Sequence, residues 1–446
     1  MNNIEPTIQV GILTASEIIF VLNDTFLGPN KKKYSGRQVV LCYHGYILFD
    51  GMKLEEVIFE PNNGKGSFDI KNVTIGIGFH WERKQRQQFR GSLKFVIEQR
   101  KLIAINIIGV EDYLSSVISS EMSATASHEF LKAHAVISRS WLLKPILEQR
   151  TKNQESRSVT EQKTINYKLS TINYIKWYER DAHTRFDVCA DDHCQRYQGI
   201  TRASTAAVER AIEATRGEVL MFEDKICDAR FSKSCGGASE TFENCWAPEH
   251  YQYLTKVIDN PTNPEGFELD LTVEINAEKW IRNYPDAFCN TSDKKILSQV
   301  LNNYDQETTD FYRWKVQYSQ AELSEIIERR SGVEFGEIVD LIPMKRGESG
   351  RIVELKIVGT KQTVVVGKEL EIRKWLSNSH LYSSAFVVDK LQVTDGIPQF
   401  FILAGAGWGH GVGLCQIGAA VMGEKGYTYN EILLHYFRGV ELKRIY

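Results

Sequence analysis

Glu121 sits on the short polar connection SEMSAT, just after an apolar helical turn and just before a long amphipathic helix. The connection holds no basic residue to neutralise it. A carboxylate fixed between packed helices without a cationic partner can keep its proton and serve as a general acid. On this segment alone, a solvated surface glutamate is the simpler reading. Glu111, Asp112 and Glu129 lie nearby, at helical positions read as exposed.

Two glycine-bearing turns could complete a site. In 405–418, GAGWGHGVGLCQIG, the five glycines from Gly405 to Gly413 surround His410. Such a turn allows close approach to a ligand, and a helix starting near Leu414 would aim free N–H groups toward it. A tight glycine corner with His410 as a packing residue fits equally well. The glycine spacing excludes a dinucleotide fingerprint, and the absence of Gly-Lys-Ser/Thr excludes a phosphate loop. The second turn, FSKSCGGASE at 231–240, pairs Gly236 with Gly237 and by itself reads as a plain loop.

A different chemistry is suggested by HTRFDVCADDHC at 183–194, which gathers His183, Cys189, His193 and Cys194. Thiolates and imidazoles suit tetrahedral Zn²⁺, and four protein ligands would close the shell and make the metal structural. A Cys189–Cys194 disulfide or free thiols also fit this spacing. The closed shell and the lack of a His-Glu-x-x-His helix argue against a zinc hydrolase. The eight cysteines as a whole are too dispersed for a disulfide scaffold.

Periodicity indicates the elements that must hold these groups. Val110, Tyr113, Leu114 and Val117 give one apolar helical face ahead of Glu121. Ser127 is a natural N-cap for the next helix, where Leu131, Ala135, Ser138 and Leu142 form a small or apolar face. Ile8, Val10 and Ile12 alternate as in a half-buried strand, and residues 1–105 read as β-rich. The polar stretch 148–180 looks like a surface insertion that a metal clip would support. A helix is expected over 203–214, ended by Gly217.

Pro261 and Pro264 mark a linker, followed by helical patterns at 277–284, 293–303 and 319–330, the last opened by Ser319 and Glu322. A hairpin follows around Gly359-Thr360. The expected fold class is α+β: a β-rich catalytic domain with an inserted smaller α+β module. The expected parts are an N-terminal β-rich region (1–89), a core with the zinc-loop insertion (90–257), the inserted module (258–384) and a segment completing the core (385–446).

A chain of 446 residues suffices for two or three domains. A formal net charge of −3 gives no reason to expect nucleic acid or an anionic membrane as partner. No apolar run reaches the roughly 20 residues needed to span a bilayer. The N-terminal stretch lacks a basic start, so the sequence as given carries no recognisable export address.

Four motifs in order resemble the SpoIID/LytB family, after stage II sporulation protein D and the amidase enhancer of bacterial cell walls. They are NIIGVEDYLSSVISSEM with FLKAHAVISRSWL, Ser234-Cys235-Gly236-Gly237, GWGHGVGLCQIGA, and the ending from Tyr427 through Glu431 to Gly439. Three positions depart from the family pattern: Cys415 stands for serine, His134 for glutamine and Ser140 for threonine.

The resemblance implies a peptidoglycan lytic transglycosylase that leaves 1,6-anhydro-muramyl ends, with Glu121 as the catalytic acid and then base. The sugar's own 6-hydroxyl would replace the second carboxylate of an ordinary glycosidase. Arg139, Ser234, Gly236, Gly237, His410, Gly411 and Gln416 are the expected lining of the glycan groove. Zinc-binding members of the family have a similar His/Cys cluster. The family's other branch implies the alternative, a non-catalytic wall-binding protein that enhances a separate amidase. Glycan strands and an amidase are thus the expected partners. The substrate points to the cell envelope, whereas the missing export address points to the cytoplasm.

Overall fold

The computed structural model describes residues 4–76, 82–123, 125–155, 173–177, 183–191, 193–201, 204–300 and 310–446. Helix makes up 26% of the chain and strand 38%, a β-rich α+β protein.

The N-terminal half is built on an 11-stranded sheet. Thr7–Ala15 pairs antiparallel with Lys101–Gly109, which pairs with Ser92–Glu98, and that strand pairs with Glu56–Pro61. Residues on both sides of position 89 therefore share one sheet and one core, so the expected division there is not a boundary between separate cores. Alternation along Thr7–Ala15 buries Ile8, Val10 and Ile12. Val188–Cys189 adds to its edge in parallel, with Gly11 opposite Cys189. A Cβ at Gly11 would stand 2.6 Å from the tip of the Phe186 ring, so any other residue here would have to displace that ring.

Helix α1 (Val110–Glu121) starts where Lys101–Gly109 ends. Its buried face is Val110, Tyr113, Leu114, Val117 and Ile118. Met122 turns to extended backbone and ends the helix, leaving Glu121 as its last residue. Helix α2 (His128–Glu155) opens with Ser127, whose Oγ accepts the Phe130 N–H at 3.3 Å. Leu131, Ala135, Ser138 and Leu142 are all buried, and α2 packs on α1 and on α3 (Ala206–Ala214). Thr205 caps α3 by accepting the Val208 N–H. The expected insertion at 148–180 begins as the end of α2, and its residues 156–172 and 178–180 lie outside the described residues.

A second core forms among residues 314–403. It contains a sheet of Ile338–Arg346, Ile352–Gly359 and Thr363–Gly367, joined by Asn173–Ile175. Helix Gln320–Ser331 starts with Ser319 Oγ accepting the Glu322 N–H. The strands Phe386–Thr394 and Ile397–Ala406 pair with each other, and the latter pairs with Arg313–Ser319. Phe386, Phe401 and Leu403 point into this second core. The module thus continues past the expected limit at 384, because the hairpin buries its apolar face there. The chain returns to the first core at Val412 and Leu414.

Candidate active site and metal-ligand cluster

Glu121 is half-buried at the end of α1 and borders a cavity of 310 Å³. Among the described residues, no hydrogen bond or ion pair engages its carboxylate. The cavity wall includes Trp141 from α2, His193 and Cys194 from the His/Cys loop, Arg230 and Trp246, and His410 from the glycine-rich turn. The other carboxylate on the wall, Glu369, is buried and paired with Arg373 at 3.3 Å. Two carboxylates thus stand at one cavity with different environments, and among the described residues only Glu121 is unengaged.

His410 is held in place from several sides. Its Nδ1 accepts the Val412 N–H at 3.0 Å, and Trp246 lies 4.5 Å away between ring centroids. Burial first, then the guanidinium groups of Arg230 and Arg351, push its pKa well below the ordinary histidine value, so the ring is neutral. Arg230 lies 4.1 Å from the centre of the Trp246 ring and bonds Asp228 through Nε and an Nη. Cation and indole together make a firm aromatic wall.

The other expected lining residues are not among those that border this cavity. Ser234 is fully buried and exchanges backbone hydrogen bonds with Trp408, at 3.1 and 2.8 Å. Gly236 packs on the backbone of Gly407, where a Cβ would meet Gly407 N at 2.8 Å. Gly237 faces Trp280 and Tyr312, and Gly411 faces the Arg351 guanidinium. Gln416 is buried with its Nε2 3.1 Å from His134 Nε2, and the other ring nitrogen of His134 lies 3.1 Å from Ser138 Oγ. The glycines let two chain segments cross at backbone contact, and of the two turns the cavity wall includes only His410 and Phe231.

Arg139 also departs from expectation. It is fully buried and binds Glu111 through Nε at 3.0 Å and Nη2 at 2.6 Å. Glu111, expected on an exposed face, is buried and also accepts from Gly217 N and the Tyr446 hydroxyl. A small-residue helix face brings the guanidinium inside, where a carboxylate must answer it. The wall residues Trp246 and Arg230 carried no motif in the sequence, and Trp141, inside the FLKAHAVISRSWL motif, was not singled out; their signal was only an aromatic or basic type near the second turn and along α2.

The four residues of the His/Cys loop come together as a donor set, with one ligand atom from each within 4.8 Å of the others. His183 Nε2 lies 3.3 Å from Cys194 Sγ, and His193 Nδ1 lies 3.5 Å from Cys194 Sγ and 3.8 Å from Cys189 Sγ. Contact with Cys194 first, then with the two imidazoles, draws the Cys189 thiol far below its ordinary pKa despite its burial. Two sulfurs and two imidazole nitrogens at this spacing form a group that could hold a metal ion. A further cavity of 570 Å³ lies against the same loop, lined by His183, Cys189 and His193 with residues such as Ile12, Ile75 and Phe186, and without Glu121. Among the described residues, no helix is long and apolar enough to cross a membrane.

The stage II sporulation protein (SpoIID) family model matches residues 98–222, and a domain of unknown function (DUF8618) matches 240–413. An uncharacterised protein of Brachyspira hyodysenteriae is 25% identical over 392 residues, covering 88% of this chain and 77% of that protein. The amidase enhancer of Bacillus subtilis is 23% identical over 74% of this chain, which spans 40% of the enhancer's length. Stage II sporulation protein D of Bacillus amyloliquefaciens is 20% identical over 76% of this chain and 75% of its own. With the motifs of α1, α2 and the His410 turn folded around one cavity, the SpoIID domain match over residues 98–222 and the likeness to these relatives support a SpoIID/LytB family assignment.

Proposed function

We propose that this protein is a lytic transglycosylase of peptidoglycan glycan strands, acting in the cell envelope, with Glu121 as its acid and base. The observation that carries this reading is the unengaged Glu121 carboxylate beside Trp246 and His410, while Glu369 is tied to Arg373. A single free carboxyl suits an intramolecular displacement. Glu121 gives its proton to the glycosidic oxygen as the C1–O bond breaks, and the muramyl 6-hydroxyl oxygen bonds to C1. The hydroxyl proton then passes to the Glu121 carboxylate, which restores the starting state. Intramolecular attack supplies the effective concentration that a second carboxylate would otherwise provide for water. Trp246 and the neutral His410 offer a rigid wall for a sugar ring without competing for the proton.

The same reading assigns Zn²⁺ to His183, Cys189, His193 and Cys194. Four protein ligands leave no open position, so the ion serves to fix the loop that supplies His193 and Cys194 to the wall.

Mass spectrometry of purified glycan strands incubated with the protein is the test. Products with 1,6-anhydro ends support the proposal, and ordinary reducing ends from added water overturn the lytic step. Intact strands together with a faster rate of an added cell-wall amidase would instead favour the enhancer role, which the name of the Bacillus subtilis relative makes the leading alternative.

A further inference from the structure

A second set of ligand-type side chains converges in the interior, away from the His/Cys loop. Cys235 comes from the Ser234–Gly237 turn, Asp259 follows the Ala238–Ile258 bridge, Cys289 lies between helices Glu274–Arg282 and Lys294–Val300, and Cys415 caps helix Gln416–Glu424. One ligand atom from each lies within 4.8 Å of the other three. The exposures are 3% for Cys235, 0% for Asp259, 1% for Cys289 and 0% for Cys415.

Two features set this group apart from cysteines buried for packing. The first is Asp259, a wholly buried carboxylate that accepts from Cys289 N at 2.8 Å and the Tyr436 hydroxyl at 2.6 Å. Among the described residues, no lysine, arginine or histidine forms an ion pair with it, whereas buried Glu111 has Arg139. A carboxylate so placed needs a compensating cation, a metal included, or must stay protonated. The second is the sulfur geometry. Cys235 Sγ and Cys289 Sγ are 3.7 Å apart, beyond a disulfide. Tetrahedral Zn²⁺ with bonds of about 2.3 Å spaces its sulfurs by about 3.8 Å. Cys415 Sγ, meanwhile, accepts the Cys235 N–H at 3.2 Å, a contact common around metal-bound thiolates.

We infer that Cys235, Asp259, Cys289 and Cys415 form a second, structural Zn²⁺ site. Soft thiolates favour zinc over magnesium or calcium, and four protein ligands close the shell. Tyr436 orients the carboxylate from outside it. The ion would clip the Ser234–Gly237 turn to the start of helix Gln416–Glu424, on either side of the His410 turn. Binding displaces the thiol protons, so occupancy falls as pH falls. The inference is independent of any glycan chemistry.

The test begins with the protein carrying Cys189→Ser and Cys194→Ser, which disables the loop cluster. Purified without chelator, it is expected to retain about one zinc per chain. Loaded with Co²⁺, it should show thiolate-to-cobalt charge-transfer absorption and the d–d bands of a tetrahedral site. Adding Cys415→Ser, which supplies the residue usual in the family, should remove both signals; Cys289→Ser provides the same test if that variant fails to fold. A folded loop-disabled protein without zinc or cobalt signal overturns the inference. So does zinc retained unchanged after Cys415→Ser or Cys289→Ser, or a Cys235–Cys289 disulfide found by peptide mapping after alkylation.

Discussion

Arg139 and Glu111 form a buried two-point ion pair, 3.0 and 2.6 Å long, that ties α2 to the first turn of α1 eight or more residues before Glu121. Gly217 N and the Tyr446 hydroxyl complete the shell around the carboxylate. The pair therefore sets the relative position of two helices that border the cavity. Removing Arg139 leaves Glu111 charged in the interior with only two donors. Arg139→Ala is expected to lose about 3–5 kcal/mol of stability, measured by denaturant unfolding. The double replacement Arg139→Met with Glu111→Leu should recover much of that loss. A fully stable Arg139→Ala protein with a selectively raised KM for glycan would return Arg139 to the groove.

Glu121→Gln keeps the shape of the side chain and removes its exchangeable carboxyl proton. Because no described residue bonds to the carboxylate, the substitution disturbs no pairing among the described residues, and the melting temperature should hold. Release of 1,6-anhydro products should fall by about a hundredfold or more. Undiminished release by the folded variant would remove Glu121 from the reaction.

The loop cluster is expected to support the fold rather than the proton transfer. Cys189→Ser with Cys194→Ser, or chelation, should lower the melting temperature and weaken glycan binding, since His193 and Cys194 border the cavity. Thiolate ligands must be deprotonated, so zinc affinity at this loop should decline as pH falls. Elemental analysis with melting curves at several pH values checks this. A Cys189–Cys194 disulfide found by peptide mapping would replace the metal.

How much of this was legible in the sequence depended on whether the signal was local. The 3.6-residue spacing of Val110, Tyr113, Leu114 and Val117 and the Ser127 cap specify α1 and α2, because period and capping act within one or two turns. His183, Cys189, His193 and Cys194 are close in sequence, so their ligand types spoke together. Cys235, Asp259, Cys289 and Cys415 span 180 residues between the first and last, and only the fold assembles them. Glu111 looked like a surface charge and Arg139 like a groove residue, since neither shows its partner to a local reading. The glycine turn holding Gly411 signalled close approach to a ligand or a tight packing corner, and sequence alone does not say which; Gly411 faces the Arg351 guanidinium.

His134 offers a test of acid stability. Burial, and secondarily the charge of Lys233, lowers its pKa to about 3 from the ordinary 6.5. Between those values the unfolded chain binds a proton that the folded protein refuses. The contribution is therefore complete above pH 6.5 and is lost as pH falls toward 3, with a limiting slope of about 1.4 kcal/mol per pH unit. His380 and His435, each near 4, act with the same sign, so the parent should be acid-sensitive overall. His134→Gln removes one such group and brings in the residue usual for the family. Its amide can still meet Gln416 and Ser138, the two partners of the imidazole. Unfolding free energies measured at pH 7 and pH 5 should differ by about 2 kcal/mol less in the variant than in the parent. Parallel losses in the two proteins would mean that His134 takes up its proton without unfolding.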